Sequence, residues 1–171
     1  KDEFVDALAA GMASMTVGDP ADPNTQIGPL VAQRQQERVR GYIESGQREG
    51  ARLVTGGSGM PDGLDTGWYV RPTLFSDATN DMRIAREEIF GPVLTVISYR
   101  DEDEAIRIAN DTIYGLSGSV WTRDGGKALR VARAIETGVI SINSNTSVRV
   151  TTPFGGFKQS GVGRELGPRA L

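Results

Sequence analysis

Val93-Leu94-Thr95-Val96-Ile97, Leu116 to Trp121 and Val139 to Ile142 are three apolar runs, and a segment with helical spacing separates each from the next. The order reads β-α-β-α-β. Between the first two runs, Asp101 followed by Glu104 has the form of a capping box, and Ala105, Ile106 and Ala109 supply a stripe for burial. Between the second and third, Ala128, Val131, Ala132 and Ile135 recur at i, i+3, i+4 and i+7. Gly138 follows where a helix commonly stops in left-handed conformation. Strands of apolar and β-branched residues alternating with helices imply a parallel sheet with helices on both faces, joined by right-handed crossovers. The expected fold class is α/β.

Upstream, Phe4, Val5, Leu8, Met12 and Met15 recur at helical spacing, so the first dozen residues read as an amphipathic helix ending near Gly18-Asp19-Pro20. A second helix fits about Val31 to Ser45. Its buried stripe would be Val39, Tyr42, Ile43 and Gly46, with Arg, Gln and Glu on the other face. Leu53-Val54 reads as a short strand. Thr55 to Gly67 carries five glycines and Pro61 and sustains neither period, so it reads as a loop.

The 171 residues are enough for one domain with a real core, and 1–171 is expected to form a single partial domain. A net charge of −3 and a pI of about 5.1, with no basic run, leave no electrostatic footprint for nucleic acid or an anionic membrane. No apolar stretch approaches the roughly 20 residues that cross a bilayer, and Lys1-Asp2-Glu3 does not open a signal peptide, so a cytoplasmic location is the default. The chain has no cysteine and no histidine. Disulfides, thiolate metal sites and the usual serine-activating base are thereby excluded, and no metal ligand set is expected.

Two stretches carry candidate chemistry. The first is Glu87-Glu88-Ile89-Phe90-Gly91-Pro92-Val93. Adjacent carboxylates can divide acid and base work when their environments differ, but residues i and i+1 share no face, and such a pair is more often solvated surface. By composition alone, Phe90 would be a core residue before a buried strand. The second stretch, Asn143 to Gly167, leaves the carboxyl end of the third strand and holds five glycines. Parallel sheets bind ligands at that edge.

Both stretches resemble the aldehyde dehydrogenase superfamily. The resemblance rests on Glu87 to Val93 and on Pro153-Phe154-Gly155-Gly156-Phe157-Lys158-Gln159-Ser160-Gly161. It also rests on Val17-Gly18-Asp19-Pro20, Ile27-Gly28-Pro29-Leu30 and Gly163-Arg164-Glu165-Leu166-Gly167, in the family's order and spacing. It implies the later part of an NAD(P)+-dependent catalytic domain. On that resemblance Glu88 binds the hydroxyls of the nicotinamide ribose and Phe90 packs beside the nicotinamide ring. Phe154 lines the aldehyde channel, and Asn143 and Ser144 lie near the reacting carbon or support the loop around it. Glu165 matches a glutamate implicated in relaying a proton during thioester hydrolysis; its competitor is a structural Arg164–Glu165 ion pair. Arg149, in a loop that matches no family motif, is a candidate for meeting an anionic substrate tail, against the ordinary reading of a solvated arginine.

In the family a thiolate adds to the aldehyde, hydride passes to NAD(P)+, and a glutamate-activated water hydrolyses the thioester. The cysteine, that glutamate and the dinucleotide-binding domain belong upstream of Lys1 by this resemblance. The chain is therefore expected to be a fragment, inactive when isolated, of an enzyme that oxidises an aldehyde to a carboxylic acid and assembles as a homo-oligomer. The alternative is a non-catalytic binding or assembly module with the same fold. Isolated, the chain is also expected to expose apolar surface.

Overall fold

Leu74 and Phe75 are both fully buried, and as neighbours on one strand they point to opposite faces of a three-stranded sheet. In the computed structural model residues 1–168 are described, in two units, one of Lys1–Ser98 and one that begins at Tyr99. The first unit contains α1 (Asp2–Ala13), α2 (Gln33–Arg48), β1 (Arg52–Thr55), β2 (Thr73–Ala78), α3 (Arg83–Arg86) and β3 (Val93–Ile97). Strand order is β1-β2-β3, with β2 antiparallel to β1 and parallel to β3. Phe75 packs with Val39, Tyr42, Ile43, Ile84 and Ile89 beneath α2, whereas Leu74 packs with Val5 and Met12 of α1. The sheet thus has a helix on each face. Truncating Phe75 to alanine should cost about 3–5 kcal/mol.

The second unit contains α4 (Glu102–Asn110), β4 (Tyr114–Gly115), β5 (Ser117–Val120), α5 (Gly125–Ala134), β6 (Val139–Ile142) and β7 (Phe157–Lys158). β5 and β6 pair in parallel with α5 packed on both, and β4 pairs antiparallel with β7. Asp101 caps α4 by accepting from the Glu104 N–H at 2.8 Å. The Glu104 carboxylate reaches back one residue further than a capping box requires, to the Arg100 N–H at 2.8 Å. Arg130 of α5 holds Glu102 of α4 bidentately, both bonds at 3.0 Å.

The α/β class and its parallel pairings are as the sequence implies, but the arrangement differs in four respects. The three apolar runs do not make one continuous ladder: β3 pairs with β2 in the first unit, and β5 pairs with β6 in the second. β2 has no counterpart in the sequence reading, because Thr73, Ser76 and Asp77 interrupt its apolar pattern. Thr73 and Ser76 are nevertheless fully buried, and Thr73 Oγ1 donates to the Arg71 carbonyl at 2.7 Å while accepting from the Gly57 N–H at 3.0 Å.

α5 stops at Ala134, and Gly138 does not adopt positive φ. Its lack of a side chain answers a close approach, since a Cβ there would sit 1.6 Å from the Gly155 carbonyl oxygen. In α4 no residue is fully buried, and Ala109 is exposed. Within the described part of the second unit only Gly115, Ala128 and Gly156 are buried, and Leu116, Trp121 and Leu129 present apolar surface. That exposure agrees with the expectation for the chain taken alone. Among the described residues no helix is long and apolar enough to cross a membrane.

Candidate functional site

After α3 the chain turns extended at Glu87 (φ −109°, ψ 148°) and crosses α2 before entering β3. Gln35, Arg38, Val39 and Tyr42 lie at i, i+3, i+4 and i+7, which places them on one stripe of α2 beneath this crossing. Each holds part of it. The Tyr42 hydroxyl donates to Glu87 Oε2 at 2.5 Å. Arg38 Nη2 donates to the Glu88 carbonyl at 3.3 Å, and Gln35 Nε2 donates to the Ile89 and Phe90 carbonyls at 3.2 and 3.1 Å. Gly91 lies so close to Val39 that a Cβ would approach both Val39 methyls at 2.7 Å.

This grip explains an uncommon backbone. Phe90 has φ 57°, a left-handed conformation that costs a bulky residue of order 1–3 kcal/mol and persists where surrounding contacts impose it. Phe90 is 63% exposed, whereas Ile89 is 8% exposed and joins the core. The expectation from composition, a core phenylalanine, is therefore overturned: the left-handed turn sends the aromatic ring out and the isoleucine in.

Glu87 and Glu88 have different surroundings. The Arg83 guanidinium, donating from Nε to Oε1 at 3.1 Å, and then the Tyr42 hydroxyl hold the Glu87 carboxyl below its ordinary value. The Glu88 side chain is exposed and makes no hydrogen bond or ion pair among the described residues. A free carboxylate two residues from an outward aromatic ring is able to accept hydrogen bonds from vicinal hydroxyls beside a flat apolar group.

In the second unit Asn143 follows β6 with φ 51°. Its Oδ1 accepts from the Thr122 N–H at 2.9 Å and its Nδ2 donates to the Thr122 carbonyl at 3.0 Å. Both ends of the amide are occupied in tying the carboxyl ends of β5 and β6 together. Ser144 Oγ accepts from the Thr146 N–H at 3.1 Å and shapes the loop that follows. The Arg149 guanidinium is exposed with no partner among the described residues, while its carbonyl accepts from the Thr152 N–H at 3.1 Å.

Phe154 and Glu165 form an isolated antiparallel bridge, with N–H to carbonyl bonds of 2.7 and 2.9 Å. Phe154 is half-buried and Glu165 is exposed. The Arg164 guanidinium donates to the Gly156 and Gly163 carbonyls at 2.9 and 2.6 Å and lies 5.3 Å from the centre of the Phe157 ring. No Arg164–Glu165 ion pair exists among the described residues. Sequence reasoning missed Gln35, Arg38 and Tyr42 as supports of the Glu88 segment. Their spacing along α2 was available, but the carbonyls they hold were not.

The chain belongs to the aldehyde dehydrogenase family, whose model matches residues 1–171. A protein of Staphylococcus haemolyticus that bears an aldehyde dehydrogenase name is 50% identical over 167 residues, covering 98% of this chain and 35% of its own length. Among solved structures, the Mycobacterium tuberculosis aldehyde dehydrogenase complexed with NAD+ is 51% identical with a TM-score of 0.94, over 99% of this chain and 35% of that one. A cysteine-to-alanine mutant of Pseudomonas syringae aldehyde dehydrogenase C, complexed with NAD+ and octanal, is 45% identical with a TM-score of 0.94, over 99% and 35% of the two chains. This chain thus spans about a third of the length of the relatives it matches.

Proposed function

We propose that residues 1–171 form part of the catalytic domain of an NAD(P)+-dependent aldehyde dehydrogenase, which converts an aldehyde to a carboxylic acid. The observation that carries this reading is the contrast at Glu88 and Phe90: their backbone is gripped at every residue, yet their side chains are turned outward without internal partners. In this reading Glu88 accepts from the nicotinamide ribose hydroxyls and Phe90 flanks the ring. The bound dinucleotide would supply the hydride acceptor. Binding a ligand on a segment that is already ordered spares the entropy of ordering it.

Phe154 is assigned to the wall of the aldehyde channel and Asn143 and Ser144 to the loop around the reacting carbon. The occupied Asn143 amide supports the second of the two roles the family resemblance allows, holding the loop. Glu165 is assigned to proton relay, and its unpaired carboxylate supports that role over an ion pair with Arg164. Homo-oligomeric assembly and the inactivity of the chain in isolation belong to the same reading and rest on the family resemblance; a cytoplasmic location is kept as the default.

The test is steady-state kinetics of the complete enzyme and its Glu88→Gln variant, following NAD(P)H formation with aldehyde present. Loss of the charge and of one of the two acceptor oxygens should raise the KM for the dinucleotide about tenfold or more. An unchanged KM and kcat would remove the assignment, and a complete protein that forms no NAD(P)H with any aldehyde would favour a binding or assembly module.

A further inference from the structure

The geometry points to Glu87, Tyr42 and Arg83 as a latch that positions Glu88 and Phe90, an assignment that rests on the reading of those two residues given above. At Glu87 the backbone is extended, so successive side chains leave on opposite sides. Glu87 turns toward α2 and Glu88 away from it. The direction in which Glu88 points is thus set by how firmly Glu87 is held.

The hold is unusually complete for an exposed carboxylate. Tyr42 is 1% exposed, so its hydroxyl has no ready water to replace Glu87 Oε2, to which it donates at 2.5 Å. The same hydroxyl accepts from Arg38 Nη2 at 3.2 Å, and Arg38 Nη2 also donates to the Glu88 carbonyl at 3.3 Å. Arg83 closes the network from the other side. Its Nε donates to Glu87 Oε1, its guanidinium lies 4.4 Å from the centre of the Tyr42 ring, and its backbone N–H donates to Glu49 Oε2 at 2.7 Å. One buried tyrosine therefore connects the Glu87 side chain, the Glu88 backbone and the helix from which the segment leaves. An ion pair serving stability alone would not need a shared hydroxyl that also reaches the next residue's carbonyl through Arg38.

The latch has a kinetic signature distinct from a stability role. Tyr42→Phe keeps the ring and its packing but removes the hydroxyl; Glu87→Ala removes both acceptors; Glu87→Gln keeps one acceptor oxygen and sets an amide N–H where the other stood. In the complete enzyme, with NAD+ as the probe, Tyr42→Phe and Glu87→Ala should each raise the NAD+ KM about five- to thirtyfold while kcat at saturating NAD+ changes less than about twofold. Glu87→Gln, which keeps one of the two contacts, should raise the NAD+ KM less than Glu87→Ala does.

Glu88→Ala is measured beside them. If Glu88→Ala raises the NAD+ KM but folded Tyr42→Phe and Glu87→Ala do not, whatever their melting temperatures, the latch is wrong and the cofactor assignment stands. If Glu88→Ala leaves the KM unchanged, the cofactor assignment fails and the latch fails with it.

Discussion

The Asn143 side chain satisfies both backbone groups of Thr122, accepting from its N–H at 2.9 Å and donating to its carbonyl at 3.0 Å. The Asn143 N–H adds a third bond, to the Val120 carbonyl at 2.8 Å, so one residue closes the carboxyl edge of the β5–β6 pair. Asparagine is suited to this place twice over, since it tolerates φ 51° and mimics a backbone amide. Asn143→Ala should lower stability by about 1–2 kcal/mol, because two hydrogen bonds vanish and alanine fits the left-handed region poorly. Asn143→Gly, which relieves the backbone but also loses the bonds, should cost less. Urea midpoints that rank glycine below alanine would show that the backbone argument is wrong.

Phe75 and Phe90 make a matched pair for testing which aromatic is structural. Phe75 is fully buried, and its removal should cost about 3–5 kcal/mol. Phe90→Gly removes the side chain of a residue that is 63% exposed and frees a strained φ, so stability should change by less than about 1 kcal/mol. Thermal unfolding of both variants decides the matter; comparable losses would mean that the Phe90 ring is packed inside.

Glu104 gives the chain an acid-sensitive contact. Arg100 donates to it from the guanidinium at 2.9 and 3.1 Å and from the backbone N–H at 2.8 Å, and these contacts bring its pKa from 4.5 down to about 2. A carboxylate whose folded pKa is depressed stabilises the fold above its unfolded value and loses that contribution as pH falls toward the folded one. The gap in melting temperature between the parent and Glu104→Gln should therefore be present at neutral pH and close between pH 4.5 and about 2. Added salt should narrow it at neutral pH, because the Arg100 partner is exposed. A gap that persists unchanged to the lower end of that window would rule the contact out as its source.

How far the sequence carried this fold depends on where polar atoms go. The stripe Val39, Tyr42, Ile43 and Gly46 was legible because burial repeats with the helix, and all four residues are buried. β2 was illegible because its buried Thr73 and Ser76 look like surface until their partners are known. At the site, the family motif pointed to Glu88 and Phe90, but periodicity could not distinguish outward Phe90 from inward Ile89. That choice is made by a left-handed turn and by Gln35, a polar residue on the stripe of Val39 and Tyr42 whose two carbonyl partners the sequence does not reveal. Arg164 was likewise read beside Glu165 in sequence, while its guanidinium is spent on the Gly156 and Gly163 carbonyls.

Gly91 and Val39 should be coupled energetically. Gly91 does not have positive φ, so the obstacle to a side chain there is the Val39 methyl pair at 2.7 Å from the ideal Cβ. Gly91→Ala should cost about 1–3 kcal/mol by overpacking. In a Val39→Ala background the same change should cost less, with a coupling of about 0.5–3 kcal/mol in the double-mutant cycle. Strict additivity would mean that the segment moves away from α2 without strain.

Arg149 offers the one test of substrate class that the described loop carries. Its guanidinium is exposed and unpaired among the described residues, in a loop whose turn is closed by its own carbonyl and Thr152 rather than by its side chain. Replacing it should therefore leave the loop standing. If the side chain meets an anionic substrate tail, Arg149→Ala in the complete enzyme should lower kcat/KM for an acidic aldehyde by about tenfold and leave a neutral aldehyde of similar length within about twofold. The loss for the acidic substrate should shrink as salt is added, since the charge acts from an exposed position. Equal losses for both aldehydes would assign Arg149 to the loop rather than to the substrate.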